Sequence, residues 1–212
     1  MNGLTPEEYL ELVLFHENRI SRDQQQLRVK RDALVDDIRL SFDDVTRKGG
    51  ISLAEVEYMD AGAPQKTCLR IRSQQRDKHW SEVNLREHDP QGSGICFLDP
   101  IGFRYHAPAY MIDALTAGIA QLDDCEPDEW NGQNTIVFRL SDLTQSENDH
   151  SCCCLFNTDQ RCCVARFLAF HLELNYIIGD DNALTALRNY WVQFLPEKDK
   201  AHFKSIWPDT LP

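Results

Sequence analysis

The side chains best able to do chemistry crowd into one stretch of fifteen residues, Phe97-Leu98-Asp99-Pro100-Ile101-Gly102-Phe103-Arg104-Tyr105-His106-Ala107-Pro108-Ala109-Tyr110-Met111. Asp99 is a candidate acid or base, Arg104 an anion clamp, and His106 an imidazole that titrates near neutral pH. If Phe103 to His106 is extended, Arg104 and His106 share one face, because side chains alternate along a strand. That arrangement would serve a small hydrolase-like enzyme. The same residues also have a purely structural reading: Asp99 caps a turn, Pro100 fixes it, Arg104 pairs with a carboxylate, and the aromatic rings pack. His79, next to Trp80, is a second prospective partner for Asp99. The chain has no G-x-S-x-G elbow, P-loop, H-E-x-x-H or G-x-G-x-x-G, so Asp99, Arg104 and His106 stand as candidates and no catalytic residue is assigned.

The next chemistry to weigh is thiol and metal chemistry. The eight cysteines are Cys68, Cys96, Cys125, Cys152, Cys153, Cys154, Cys162 and Cys163, five of them within twelve residues. Secreted disulfide frameworks space their cysteines and follow a signal peptide, and neither feature is seen. Zinc sites favour C-x2-C or C-x4-C pairs, which are absent. A site built from His150, Cys152 or Cys154 and Cys162 is sterically conceivable, but reduced, mostly buried thiols are the favoured reading. Neither metal nor cofactor is expected. His16 and His171 lie in apolar helical patterns, where a core or boundary role is expected.

The formal net charge is −12, and it is unevenly distributed. Between Leu122 and His150, Asp123, Asp124, Glu126, Asp128, Glu129, Asp142, Glu147 and Asp149 face only Arg139, a local balance of −7. Such a surface repels phosphate backbones, which argues against a nucleic-acid partner, and it favours encounter with a basic protein. Asp123, Asp124, Glu126, Asp128 and Glu129 are therefore the candidate partner-binding residues. Lys66 to Lys78 is locally basic, a solvated face or a small site for phosphate or an acidic partner. No apolar run reaches the roughly 20 residues of a membrane span, and the N-terminus lacks a basic region followed by an apolar one. A cytoplasmic protein without membrane attachment is expected.

These residues must be positioned by the elements around them. Thr5-Pro6-Glu7-Glu8 is a helix start with Thr5 as N-cap, Pro6 in the first turn and Glu8 closing a capping box. Leu10, Leu12, Val13, Leu14 and Phe15 follow, and a break is expected near Ser21. A second amphipathic helix carries Leu34, Val35, Ile38, Leu40, Phe42 and Val45 and ends at Gly49-Gly50. Ser52 and Glu55 form a further capping box. Cys68 to Arg72 alternates like a short strand, and His88 to Gly94 reads as a loop. Ile95 to Leu98 and Phe103 to His106 read as short extended segments joined by a turn at Asp99-Pro100-Ile101-Gly102. Pro108 then starts a helix. Thr135 to Leu140 reads as a strand or extended connector, Asn157 with Gln160 as a capped helix start, and Asp181 to Phe194 as a helix. One short helix is expected after Pro196. The fold class is thus α+β: a predominantly α-helical single domain with a few short strands and an extra N-terminal helix. Residues 1–31 form the helical extension, 32–195 the core domain and 196–212 a C-terminal tail.

The central run resembles the hallmark of a bacterial domain family of unknown function, number 6714, whose members read roughly F-L-D-P-x-G-F-R-F-Y-L-P-A-Y-M. The resemblance spans about residues 32 to 192. It takes in Ser52-Leu53-Ala54-Glu55, Asp77, Trp80, Phe156 through Leu168, and Tyr190-Trp191. In the third of these blocks Asp159-Gln160-Arg161 and Phe167-Leu168 match, while Cys162 and Cys163 fall near small apolar positions of the family. The chain departs from the pattern at His106 and Ala107, where the family resembles Tyr-Leu. The resemblance implies no established activity, and it leaves the first 30 residues as an addition to the common domain.

The reading that leads is a non-catalytic protein-binding module, an adaptor or immunity-type inhibitor presenting an acidic surface to a basic protein partner. A small hydrolase using Asp99, Arg104 and His106 is the alternative. A structural homo-oligomeric subunit assembled through the N-terminal helix is the third.

Overall fold

A computed structural model of the chain describes residues 6–122, 132–141, 153–174 and 181–206. Among them there is no strand, so the expected α+β class with short strands is corrected to an all-helical fold. The order is α1 (Pro6–Phe42), α2 (Leu53–Asp60), α3 (Gln65–Gln74), α4 (Leu85–His88), α5 (Pro100–Leu122), α6 (Gly132–Ser141), α7 (Thr158–Leu174), α8 (Asp181–Asn189) and α9 (Glu197–Ile206). Short 3-10 turns lie at Trp80–Glu82, Gly94–Phe97 and Trp191–Phe194.

Helix α1 is one uninterrupted element of 37 residues. The break expected near Ser21 does not occur. A single serine costs a helix only a few tenths of a kcal/mol, and its Arg, Gln and Glu neighbours are good helix formers. With no glycine or proline between Pro6 and Phe42, nothing stops the helix, and it runs through residues 31 and 32 without a change of conformation. Leu34, Val35, Ile38 and Phe42 make its buried face, which packs on α5 and α7.

Helix α5 is the centre of the molecule, in contact with α1, α6, α7 and the 3-10 turns at Trp80–Glu82 and Gly94–Phe97. Phe103, Tyr105, His106, Ala107, Pro108, Tyr110, Met111, Ala114 and Leu115 are all buried, so the helix is enclosed on nearly every side. This is why its first half reads as extended from sequence: a helix buried all round has no apolar stripe to show its period. Phe103 to His106 is therefore helical, Pro108 lies inside α5 rather than at its start, and Arg104 and His106 do not share a face. Pro108 has no N–H for the Arg104 carbonyl, but the enclosing core keeps the helix continuous through it.

Three other extended readings are corrected as well, and the first, Ile95 to Leu98, gives way to the 3-10 turn at Gly94–Phe97. Cys68 to Arg72 lies in α3, and Thr135 to Leu140 lies in α6, where Ile136, Val137 and Leu140 are buried at helical spacing. The alternation of Cys68 to Arg72 is too brief to fix a strand, and in α6 tertiary burial of one face overrides the weak strand preference of Ile136 and Val137. The capped start at Asn157 and the helix after Pro196 are present, and Phe203 of α9 belongs to the core. The expected helix over Asp181 to Phe194 is divided: α8 ends at Asn189 and a 3-10 turn follows at Trp191. No helix among the described residues is long and apolar enough to cross a membrane.

Candidate functional site

The Asp-Pro-x-Gly part of the signature starts α5 and fastens it to the loop after α1. Asp99 precedes the helix and Pro100 takes the first helical position, where its missing N–H is no loss. Asp99 Oδ1 accepts from the Gly102 N–H at 2.8 Å and from the Ile51 N–H at 3.0 Å. The first bond caps the helix, and the second ties in the segment that leads to α2. That segment comes so close that a Cβ on Gly102 would sit 2.3 Å from the Ile51 carbonyl oxygen, and one on Gly50 2.6 Å from the Gly102 nitrogen. Two glycines facing each other are what permit the contact.

Arg104 points elsewhere. Its Nε donates to Gln160 Oε1 at 3.0 Å, an amide where a carboxylate partner was expected. Gln160 is fully buried, and its Nε2 donates to the Ser41 carbonyl at 2.9 Å. The same Oε1 accepts from the Asn157 N–H at 3.2 Å, while Asn157 Oδ1 accepts from the Gln160 N–H at 2.9 Å, completing the cap of α7. The last carbonyls of a helix have no partner inside it, and side chains supply them here. Gln160 takes Ser41, and Trp80 Nε1 donates to the Phe42 carbonyl at 2.8 Å. His79 Nε2 lies 3.1 Å from the Asp43 carbonyl, and its Nδ1 lies 2.7 Å from Ser81 Oγ, so His79 is not the partner of Asp99.

His106 is completely buried, with its ring edge-to-face against Tyr105 at 4.9 Å between centroids. Neither ring nitrogen has a hydrogen-bond partner. Burial, with the Arg47 and His88 charges adding to it, pulls its pKa down to about 3, so the imidazole is neutral at pH 7. Asp99, Arg104 and His106 thus have separate partners: Asp99 holds the loop before α2, Arg104 reaches from α5 to Gln160 of α7, and His106 is sealed in the core.

The neighbouring aromatics anchor α5 through their hydroxyls. Tyr110 donates to Asp89 Oδ2, which also accepts from the Gly94 N–H at 2.9 Å. Tyr105 donates to Asp77 Oδ2 at 3.3 Å, and Gln75 Nε2 donates to that oxygen at 2.8 Å. Burial, then the adjacent carboxylate, pushes both phenols well above the ordinary tyrosine range.

Beside the start of α5 lies a charged pair that the sequence brings from two helices. Glu55, with no exposed surface, is gripped bidentately by Arg72, each N···O distance being 2.6 Å. Arg72 Nη1 also donates to the Gly49 carbonyl at 2.5 Å, and Glu55 Oε2 accepts from the Ser52 N–H at 3.3 Å, the expected capping box. Burial raises the Glu55 carboxyl, but the bonds from Arg72 and Ser52 outweigh it and hold the group below its usual range. Next to this pair opens a cleft of about 480 Å³, whose lining includes Arg47, Lys48, Arg72, Gln75, Asp77, Lys78 and Tyr105. Sequence reasoning marked the basic stretch Lys66 to Lys78 but overlooked Arg47-Lys48. The signal was a cationic pair directly before Gly49-Gly50, a turn that brings it back against α3.

The remaining candidates fall as follows. Cys154 and Cys162 are partly buried free thiols, and His150 and Cys152 lie outside the described residues. Burial pushes the Cys162 and Cys163 thiols up, away from the thiolate a metal would bind. Cys163 Sγ lies 3.2 Å from Ser41 Oγ. No cluster of three or more His, Cys, Asp or Glu suited to a metal occurs among the described residues. Asp123, Asp124, Glu126, Asp128 and Glu129 also lie outside them.

Fold and site together define an all-helical domain in which the polar residues of the signature hold helix ends and loops in place. Residues 30–195 match the model of a family of unknown function, DUF6714, and the chain belongs to that family. Neither a curated protein nor a solved structure matches the chain.

Proposed function

We propose that the protein is a non-catalytic binding module that presents an acidic surface to a basic protein partner. The observation that carries this reading is that the signature's polar side chains are engaged inside the fold. Asp99 holds two backbone N–H groups, Arg104 holds Gln160, and Tyr105 and Tyr110 hold carboxylates. A hydrolase built on Asp99, Arg104 and His106 needs them around one reacting atom, and they have three separate surroundings. What the chain has in surplus is charge, −12 in total and −7 between Leu122 and His150.

Charge of that density acts mainly on encounter. It speeds association with a basic surface and weakens as salt screens it over a Debye length of about 8 Å at physiological ionic strength. The test is charge reversal: lysine at Asp123, Asp124, Asp128 and Glu129 together. The complex should associate at least tenfold more slowly at low salt, with a smaller change at high salt. Unchanged association rates at both salts would remove the electrostatic basis of the reading.

A further inference from the structure

The outer face of α3 carries charge of the opposite sign to the acidic segment. Between Ala61 and Trp80, Lys66, Arg70, Arg72, Arg76 and Lys78 face only Asp77, a local balance of +4 in a chain of net −12. Arg72 is taken by Glu55 at 2.6 Å, and Asp77 accepts from Gln75 at 2.8 Å. Lys48, Lys66, Arg70 and Lys78 are exposed, and no carboxylate among the described residues pairs with them. Shortage of acid is not the cause, since Asp and Glu outnumber Lys and Arg by 34 to 22. Cations elsewhere do find carboxylates: Lys30 has Glu173, Arg86 has Asp113 and Arg166 has Asp37.

The unpaired cations border one surface. Lys66, Leu69, Arg70 and Ser73 recur at helical spacing, so they share the side of α3 opposite the buried Cys68. Leu69 sits among them with 49% of its surface exposed. Leu69 and Ser73 also line the cleft of about 480 Å³, and Lys48 and Lys78 belong to the same lining. Arg72 holds α3 to α2 through Glu55 and to the turn after α1 through the Gly49 carbonyl. The surface is therefore set before anything binds, which lowers the entropic cost of docking.

We propose that this face of α3, with Lys48 and Lys78 beside it, docks an acidic segment of a second protein that carries an apolar residue among its carboxylates. Four exposed cations around one half-exposed leucine match that pattern of charge and apolar contact. A long polyanion is the poorer fit, because it meets the net −12 of the whole chain. A short acidic segment lies within a Debye length, about 8 Å, of the α3 cations and is governed by them.

The experiment is a fluorescence-anisotropy titration of the full chain with the labelled peptide D-E-D-L-E-D-E-D. Two control peptides replace its leucine with serine or all its acids with their amides. Phosphatidylserine vesicles and single-stranded DNA are titrated alongside. Wild type should bind the acidic leucine peptide more tightly than either control, and more weakly as salt rises. Lys66→Glu combined with Arg70→Glu should weaken that binding about tenfold or more, with the melting temperature of wild type, because neither side chain has a partner to lose. The paired glutamine substitutions serve if the reversal does not fold, with a smaller loss. Leu69→Ser should remove the preference for the leucine peptide over the serine one. The proposal is overturned if wild type does not bind the acidic peptide, if it holds the leucine and serine peptides equally, or if the charge variants bind as wild type does. Tighter binding of the vesicles or the DNA through Lys66 and Arg70 would also overturn it, since the face would then serve a lipid surface or a nucleic acid.

Discussion

His106 shows how a residue can look reactive and be inert. An imidazole in an aromatic-rich run invites a catalytic role, yet its ring is fully enclosed and both nitrogens are unpaired. The chemistry was legible from residue type; the environment was not, because burial depends on what α5 packs against. The consequence for acid stability has a definite sign. The folded state keeps His106 neutral down to about pH 3, whereas the unfolded chain takes up a proton near pH 6.5. Below pH 6.5 the unfolded state binds more protons, so His106 lowers stability as pH falls towards 3, with a slope approaching about 1.4 kcal/mol per pH unit. Glu55 acts in the same direction at lower pH. Its carboxyl is held below its ordinary value, so its contribution is present above about pH 4.5 and is lost as pH falls further. Chemical denaturation of wild type and His106→Leu across pH 4 to 8 separates the two. The variant should be as stable or more stable at pH 7, since it removes two unsatisfied nitrogens, and should lose most of the slope between pH 6.5 and 4.5. Parallel curves for the two proteins would show that His106 is hydrated or paired.

At the scale of elements, the signature is a set of joints. The Asp99 cap and Gly102 hold α5 to the loop after α1, and Gln160 joins α7 to the end of α1 while Arg104 fixes its amide. Gly102→Ala puts a methyl group 2.3 Å from the Ile51 carbonyl. It should cost about 2–3 kcal/mol, the upper range for overpacking a core, read as a fall of roughly 4–12 °C in melting temperature. A change within 1 °C would mean that the Gly50–Ile51 segment moves aside freely. Arg104→Ala and Gln160→Ala should each destabilise by about 1–3 kcal/mol, with a double-mutant coupling of at least ~0.5 kcal/mol, because they act on one hydrogen-bond chain. Strict additivity would separate them. Much of this was legible locally: both capping boxes, at Ser52-Glu55 and at Asn157-Gln160, and the helix starting at Pro6 need only neighbouring residues. The helical nature of Phe103 to His106 and of Thr135 to Leu140 was not, since each is decided by contacts far along the chain. The Arg104–Gln160 pair, 56 residues apart, leaves no local signal at all.

For the whole molecule, the relevant quantity is net charge rather than any pair. At −12, the chain repels polyanions at long range. On the function proposed above, the protein holds a basic protein partner through its acidic segment. The most direct test is affinity purification of the tagged chain from its native host at low salt, beside the variant with lysine at Asp123, Asp124, Asp128 and Glu129. Wild type should bring down one stoichiometric, basic protein that is released by a high-salt wash and absent from the variant. Wild type emerging alone, or a partner kept equally by the variant, would contradict it.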